Sequence, residues 1–316
     1  MNRRELLKSA TTAAVSAAAG AALLASDPDA AWASTATPES PARKFLPMPF
    51  IETRDRAGLF YRDWGTGKPV VFVHGWALNS EMWQYQMVHL AANGFRCVAY
   101  DRRGHGRSTD PGRGYDFDTL ADDLAAVIEQ LGLRDVTLVG HSMGCAEITR
   151  YLTRHGASRI TRVAFVSVSL PFVMKTADNP DGIDKSALDA QRASWARGDF
   201  PKWLGENARP FFIPETSQQM VDWGIRLCQQ TSLQAILECN RIDVEVDFRP
   251  ELPRINVPAL IVHGDKDVSA PLDSTARRVA KLIPESKLKI YERGPHGLMF
   301  THTDRLNADL LEFAKG

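Results

Sequence analysis

A serine with a glycine two residues to either side, in Val136-Thr-Leu-Val-Gly140-His-Ser142-Met-Gly144, is the strongest chemical signal in this chain. An apolar run short enough for a buried strand stops at Gly140, and helical spacing of Ile148, Tyr151 and Leu152 begins beyond Gly144. The stretch predicts a strand, a sharp turn with Ser142 at its apex, and a helix that stops at Gly156. Such a turn lifts a hydroxyl clear of the backbone and needs glycines around it. A serine hydroxyl is a poor nucleophile at neutral pH, so a base must lie within hydrogen-bond reach and a third group must orient that base.

Two later strand ends offer both groups. His263-Gly-Asp265-Lys-Asp267 follows the apolar run at 259–262, and Gly294-Pro-His296-Gly297 follows the next strand signal, at 287–291. His296 is the preferred base. His74 and His263 open His-Gly turns at strand ends and are expected to hold loop backbone; His141 lies inside the serine turn; His105 and His302 read as solvated or structural. Asp267 completes a coherent triad, but Asp265 is nearer the strand end, and spacing alone does not separate the two. Attack on a carbonyl builds charge on oxygen, which two N–H donors must hold. Met143, at the start of the helix after the serine, and Trp76, in the loop His74-Gly-Trp76-Ala77, are the candidates. The chemistry indicated is acyl transfer.

These residues must be carried by alternating strands and helices. From Phe50 onward apolar runs alternate with amphipathic stretches, the pattern of a mostly parallel α/β sheet covered on both faces. One helix is expected over 80–93, another face runs through Phe117, Leu120, Leu124, Val127, Ile128 and Leu131, and further helices begin near Asp273 and Thr303. A long helical insertion at about 170–250 interrupts the alternation. Its aromatics Phe172, Trp195, Trp203, Phe211, Phe212 and Trp223 suit an apolar acyl or aryl pocket, though at least half of them are expected only to pack helices together. Asp243, Glu245 and Asp247 read as a solvated acidic face.

Residues 1–33 read as an address. Arg3-Arg4 precede an Ala-rich apolar run, and Ala31-Trp-Ala33 offers small residues for a signal peptidase, which suggests a twin-arginine (Tat) signal peptide cleaved after Ala33. The expected destination is the periplasm or beyond, through the Tat export machinery. The run at 9–25 is short of the ~20 residues of a membrane span, so no stable insertion is expected after cleavage. Residues 34–49, rich in Pro, Ser, Thr and Ala, read as a linker and 50–316 as one domain. The 38 basic and 38 acidic residues give no electrostatic case for nucleic acid or an anionic surface. Four cysteines without paired spacing argue against a zinc site; Cys97 and Cys145 read as small core residues. Cys228 and Cys239 would lie ~16 Å apart on an unbroken helix, too far for a disulfide.

With its landmarks His74-Gly-Trp-Ala-Leu-Asn79, Met82-Trp-Gln-Tyr-Gln-Met87, Asp101-Arg-Arg-Gly-His-Gly-Arg-Ser108, the serine turn, His263-Gly-Asp-Lys-Asp267 and Ala308-Asp-Leu-Leu-Glu-Phe313, the chain resembles the α/β-hydrolase superfamily. Within it, the chain resembles the cofactor-free (non-haem) haloperoxidases, perhydrolases and aryl esterases. The resemblance implies an α/β-hydrolase fold with a helical cap, Asp267 rather than Asp265 as triad acid, no cofactor or metal, and a small-molecule ester as substrate. Pocket positions are expected at Ala77, Phe172, Phe211, Phe212, Val268 and Leu298. A carboxylic ester hydrolase is the first expectation. A perhydrolase using hydrogen peroxide and a catalytically silent binding protein are the alternatives. Three positions depart from the group's pattern. Ala77 stands where perhydrolases tend to carry proline, which lowers the expectation of peracid formation. Cys145 and Ala146 replace glycines, and Ser269-Ala270 replaces an aliphatic pair before Pro271.

Overall fold

The computed structural model describes residues 49–316, so the expected leader and all but the last residue of the linker lie outside the described residues. Eight strands form one sheet: β1 (Phe50–Glu52), β2 (Gly58–Trp64), β3 (Lys68–Val73), β4 (Phe95–Tyr100), β5 (Val136–His141), β6 (Ile160–Val166), β7 (Ala259–Gly264) and β8 (Lys287–Tyr291). Their order is β1-β2-β4-β3-β5-β6-β7-β8. The β1–β2 and β2–β4 pairs are antiparallel and the rest parallel. Every residue of β5 and of β7 is buried, as continuous apolar runs require of strands covered on both faces.

Alternation along β3 divides the core. Val71 and Val73 join one apolar cluster, with residues of α2 (Phe117–Gln130), α3 (Met143–His155) and α8 (Ala276–Leu282). Val70 and Phe72 face the other, with α1 (Gln84–Ala92), α9 (Leu298–Thr301) and α10 (Thr303–Lys315). Between β6 and β7 four helices form the insertion: α4 (Lys185–Arg197), α5 (Phe200–Asn207), α6 (Gln218–Cys228) and α7 (Leu233–Glu245). Among the described residues no helix is long and apolar enough to cross a membrane.

Local chemistry explains the departures from the expected elements. The side chain of Asn79 accepts from Glu81 N and starts a 3-10 turn at Ser80–Trp83, so α1 begins only at Gln84. The helix around Cys228 and Cys239 is broken, because Ser232 caps a new helix by accepting from Ala235 N. All four cysteines are free.

Candidate active site

Ser142 joins β5 to α3 with φ 51 and ψ −119, a region side chains rarely occupy and one that stores strain. The flanking glycines are required by close contact. A Cβ on Gly144 would lie 2.5 Å from Val73 O, and one on Gly140 would lie 2.9 Å from Cys145 N. Met143 is the first residue of α3, so its N–H has no intrahelical acceptor.

The loop after β3 runs beside this turn, since a Cβ on Gly75 would meet His141 Nδ1 at 2.4 Å and Ser142 Cβ at 3.4 Å. A buried network fixes how that loop faces. Arg102 donates through Nε to Glu147 Oε2 at 2.7 Å and through Nη2 to His74 O at 2.9 Å. Tyr100 donates to the other oxygen of Glu147. His74 accepts Arg102 N–H at Nε2, 2.9 Å, which leaves its Nδ1–H to donate to Gly75 O at 2.8 Å. Burial pushes the His74 pKa well down, so this ring stays neutral. With Gly75 O held on the Arg102 side, the N–H of Trp76 on the same trans peptide points the opposite way. The Trp76 indole is itself tied down, donating to Ile236 O at 2.8 Å.

His296 follows β8 and bonds through Nδ1 to Asp267 Oδ2 at 2.6 Å. Asp267 follows β7 and is turned inward because its Oδ1 accepts from Ser269 N at 3.0 Å and Ala270 N at 2.8 Å. Burial works to raise the Asp267 pKa, but His296 first and His263 next outweigh it and hold the carboxyl below its ordinary value. Asp265 is exposed. The other histidines weighed as the base hold backbone: His263 Nε2 bonds to Ala270 O at 2.7 Å, and His141 Nε2 to His296 O at 3.1 Å. His105 is buried against Arg103 O, 2.8 Å from Nδ1, and His302 bonds to Glu292 O at 3.2 Å.

Ser142 and His296 line one cavity of about 500 Å³ beneath the insertion. Ala77, Phe172, Phe211 and Phe212 line it, together with Trp195 and Trp203. Five of the insertion aromatics named from the sequence thus line the cavity, and they also pack on one another, as in Trp195 on Trp203 at 4.8 Å. Trp223 instead packs against Phe300 at 5.4 Å. Two expected pocket positions are corrected. Val268 is 66% exposed, because its neighbour Asp267 takes the inward direction, and Leu298 is fully buried in the core at the start of α9.

A family model for the α/β-hydrolase fold matches residues 68–303. The chain belongs to the α/β-hydrolase family. It is 40% identical over 273 residues to a non-heme chloroperoxidase of Kitasatospora aureofaciens, covering 84% of this chain and 99% of the relative. It is 34% identical over 279 residues to a bifunctional esterase/perhydrolase of Acinetobacter calcoaceticus, covering 85% and 100%. Among solved structures, a bromoperoxidase from Bacillus anthracis matches with TM-score 0.79 and 36% identity, over 83% of this chain and 96% of that one. An esterase from Exiguobacterium antarcticum matches with TM-score 0.81 and 32% identity, over 84% and 99%.

In this α/β-hydrolase the acidic triplet of the insertion is not a solvated face. Glu245 pairs with Arg192 at 2.9 Å and Asp247 with Arg249 at 2.7 Å. Asp243 lines the cavity and accepts from Ser169 Oγ at 2.9 Å. Reading the triplet as an alternation hid this, because the chain is helical through Glu245 and a helix places Asp243 with Asn240, which also lines the cavity. Among the described residues no group of three or more His, Cys, Asp or Glu could hold a metal ion.

Proposed function

We propose that the protein is a serine hydrolase of carboxylic esters working through an acyl-enzyme. Ser142 Oγ attacks the ester carbonyl while His296 takes the hydroxyl proton. Collapse of the tetrahedral adduct breaks the bond to the alcohol oxygen, and His296 returns the proton to it. Water, deprotonated by His296, then attacks the acyl-enzyme and releases the acid and Ser142. Asp267 keeps the imidazole proton on Nδ1, so that Nε2 is free to act as base. The N–H groups of Trp76 and Met143 hold the oxyanion, and losing one such donor typically costs ~100- to 1000-fold in rate. No cofactor or metal enters this scheme.

The observation that carries the reading is that Ser142 and His296 line one cavity while His296 is tied at 2.6 Å to a buried carboxylate. Hydrolysis of p-nitrophenyl esters by the wild type and by Ser142→Ala tests it. Near-complete loss is expected, and an unchanged rate would sink the reading. A second reading uses hydrogen peroxide in place of water, giving a peracid able to oxidise halide. The named activities of the chloroperoxidase and the esterase/perhydrolase relatives favour it. Peracid yield at equal ester turnover decides between the two acceptors. We further propose that residues 1–33 are a twin-arginine leader for export to the periplasm or beyond, as Arg3-Arg4 and Ala31-Trp-Ala33 suggest. Arg3→Lys with Arg4→Lys should then retain the protein in the cytoplasm.

A further inference from the structure

The cavity is walled largely by aromatic and aliphatic side chains, yet two carboxylates line it, the exposed Asp181 and the half-buried Asp243 on α7. Placing a carboxylate in such surroundings is costly unless something pairs with it. Ser169 Oγ donates to Asp243 Oδ1 at 2.9 Å, and Asp243 lines the cavity with no other hydrogen-bond donor to its carboxylate among the described residues. The cation nearest in influence, Arg102, is committed to Glu147 at 2.7 Å. Among the described residues the cavity has one cationic side chain besides its histidines, Arg278, and it is engaged with Asn179 Oδ1 at 2.8 Å. One helical turn before Asp243, Asn240 also lines the cavity, and its Oδ1 accepts from Arg192 Nη1 at 3.4 Å. Asn240 and Asp243 therefore form a polar stripe on α7.

We propose that Asp243, oriented by Ser169, is a specificity-determining residue that selects esters bearing a hydrogen-bond donor, an ammonium before a hydroxyl, on the part seated against α7. The inference rests on the ester-hydrolase reading and narrows its substrate class. The mechanism leaves Asp243 without a role, since proton transfer runs between Ser142 and His296 and the oxyanion donors are backbone. Burial pushes the Asp243 pKa up to about 6, against the opposing influence of Ser169, Arg102 and His296. The groups facing it are thus Ser169 after β6, Arg102 after β4, His296 after β8, and two buried thiols, Cys145 on α3 and Cys239 on α7. Above that pH the carboxylate is ionised and accepts from an ammonium or hydroxyl; below it the attraction for a cation is lost.

The test uses the mature enzyme and two ladders of esters of graded length, one varying the acyl chain and one the alcohol. At each length the chain ends in methyl, hydroxyl or ammonium. The expected result, well above the Asp243 pKa of about 6, is a best-fitting ammonium ester with kcat/KM about 10- to 100-fold above its methyl counterpart. The advantage should decline as the pH is lowered through that value. Asp243→Asn should remove the ammonium advantage, read as the ratio of kcat/KM for the ammonium and methyl esters, while Asp243→Leu should invert the preference. Should either variant fail to fold, the wild-type ladders and their pH dependence still decide. A wild type that favours methyl at every length, or a preference unchanged in Asp243→Asn, overturns the proposal. Loss of all ester turnover in the wild type would instead overturn the ester-hydrolase reading.

Discussion

Replacing Asp267 by asparagine probes how the base is held. In the wild type Oδ1 accepts two backbone N–H groups, from Ser269 and Ala270, and Oδ2 faces His296 Nδ1 at 2.6 Å. An asparagine must keep its carbonyl on the side of the two N–H donors, because an amide NH2 there would face them unpaired. The NH2 is therefore delivered to His296 Nδ1, which must present a lone pair. Its proton moves to Nε2, and the ring can no longer accept from Ser142. Loss of the correct tautomer in a Ser-His-Asp site costs ~10⁴-fold in kcat, roughly 5.5 kcal/mol at ~1.4 kcal/mol per decade. Because Asp267 does not itself line the cavity, KM should change little. Stability should also respond to pH. The Asp267 pKa is depressed in the folded protein, so its stabilisation is full above the unfolded value of about 4 and is lost as the pH falls through the folded value. The melting-temperature gap between wild type and Asp267→Asn should therefore narrow in acid. The assay is steady-state ester hydrolysis with thermal unfolding as a control. A folded Asp267→Asn enzyme with near-wild-type kcat would refute the argument. Asp265→Asn, at an exposed site, should leave kcat unaltered.

Substitutions at three further positions test the surroundings of Ser142. Gly144→Ala drives a methyl to 2.5 Å from Val73 O and 2.9 Å from His74 O, and should cost about 3 kcal/mol in denaturant unfolding together with most of the activity. Ala77 has φ 61, which proline at about −65 cannot adopt. Ala77→Pro should thus lower the melting temperature and slow hydrolysis by disturbing the loop that carries Trp76, whereas Ala77→Gly should be neutral or mildly stabilising. Glu147→Gln leaves Arg102 buried beside a neutral partner, at a cost of about 3–5 kcal/mol. It should depress kcat more than KM, because Arg102 helps hold the carbonyls of the oxyanion loop.

The sheet was legible because β3, β5 and β7 are continuous apolar runs, and a strand buried on both faces has no polar residues to hide it. Ser142 was legible because its backbone demands glycine at particular offsets. Spacing did not separate the candidate acid Asp267 from Asp265, since the difference depends on two loop N–H groups that turn Asp267 in and leave Asp265 in solvent. The same turn puts Val268 outside the pocket. Asp243 was missed for a different reason: the period of its helix, and not the alternation of charges, decides which way it faces. Its partner Ser169 lies in the loop after β6, far away in sequence, and no local pattern links the two.

The central claim is that Ser142 is the nucleophile of an acyl-transfer site. Intact-protein mass spectrometry of the folded enzyme after treatment with a fluorophosphonate tests it most directly. The expected result is one covalent adduct per chain, mapped to Ser142 and absent in Ser142→Ala. No adduct on the folded protein, or one that persists in Ser142→Ala, would contradict it.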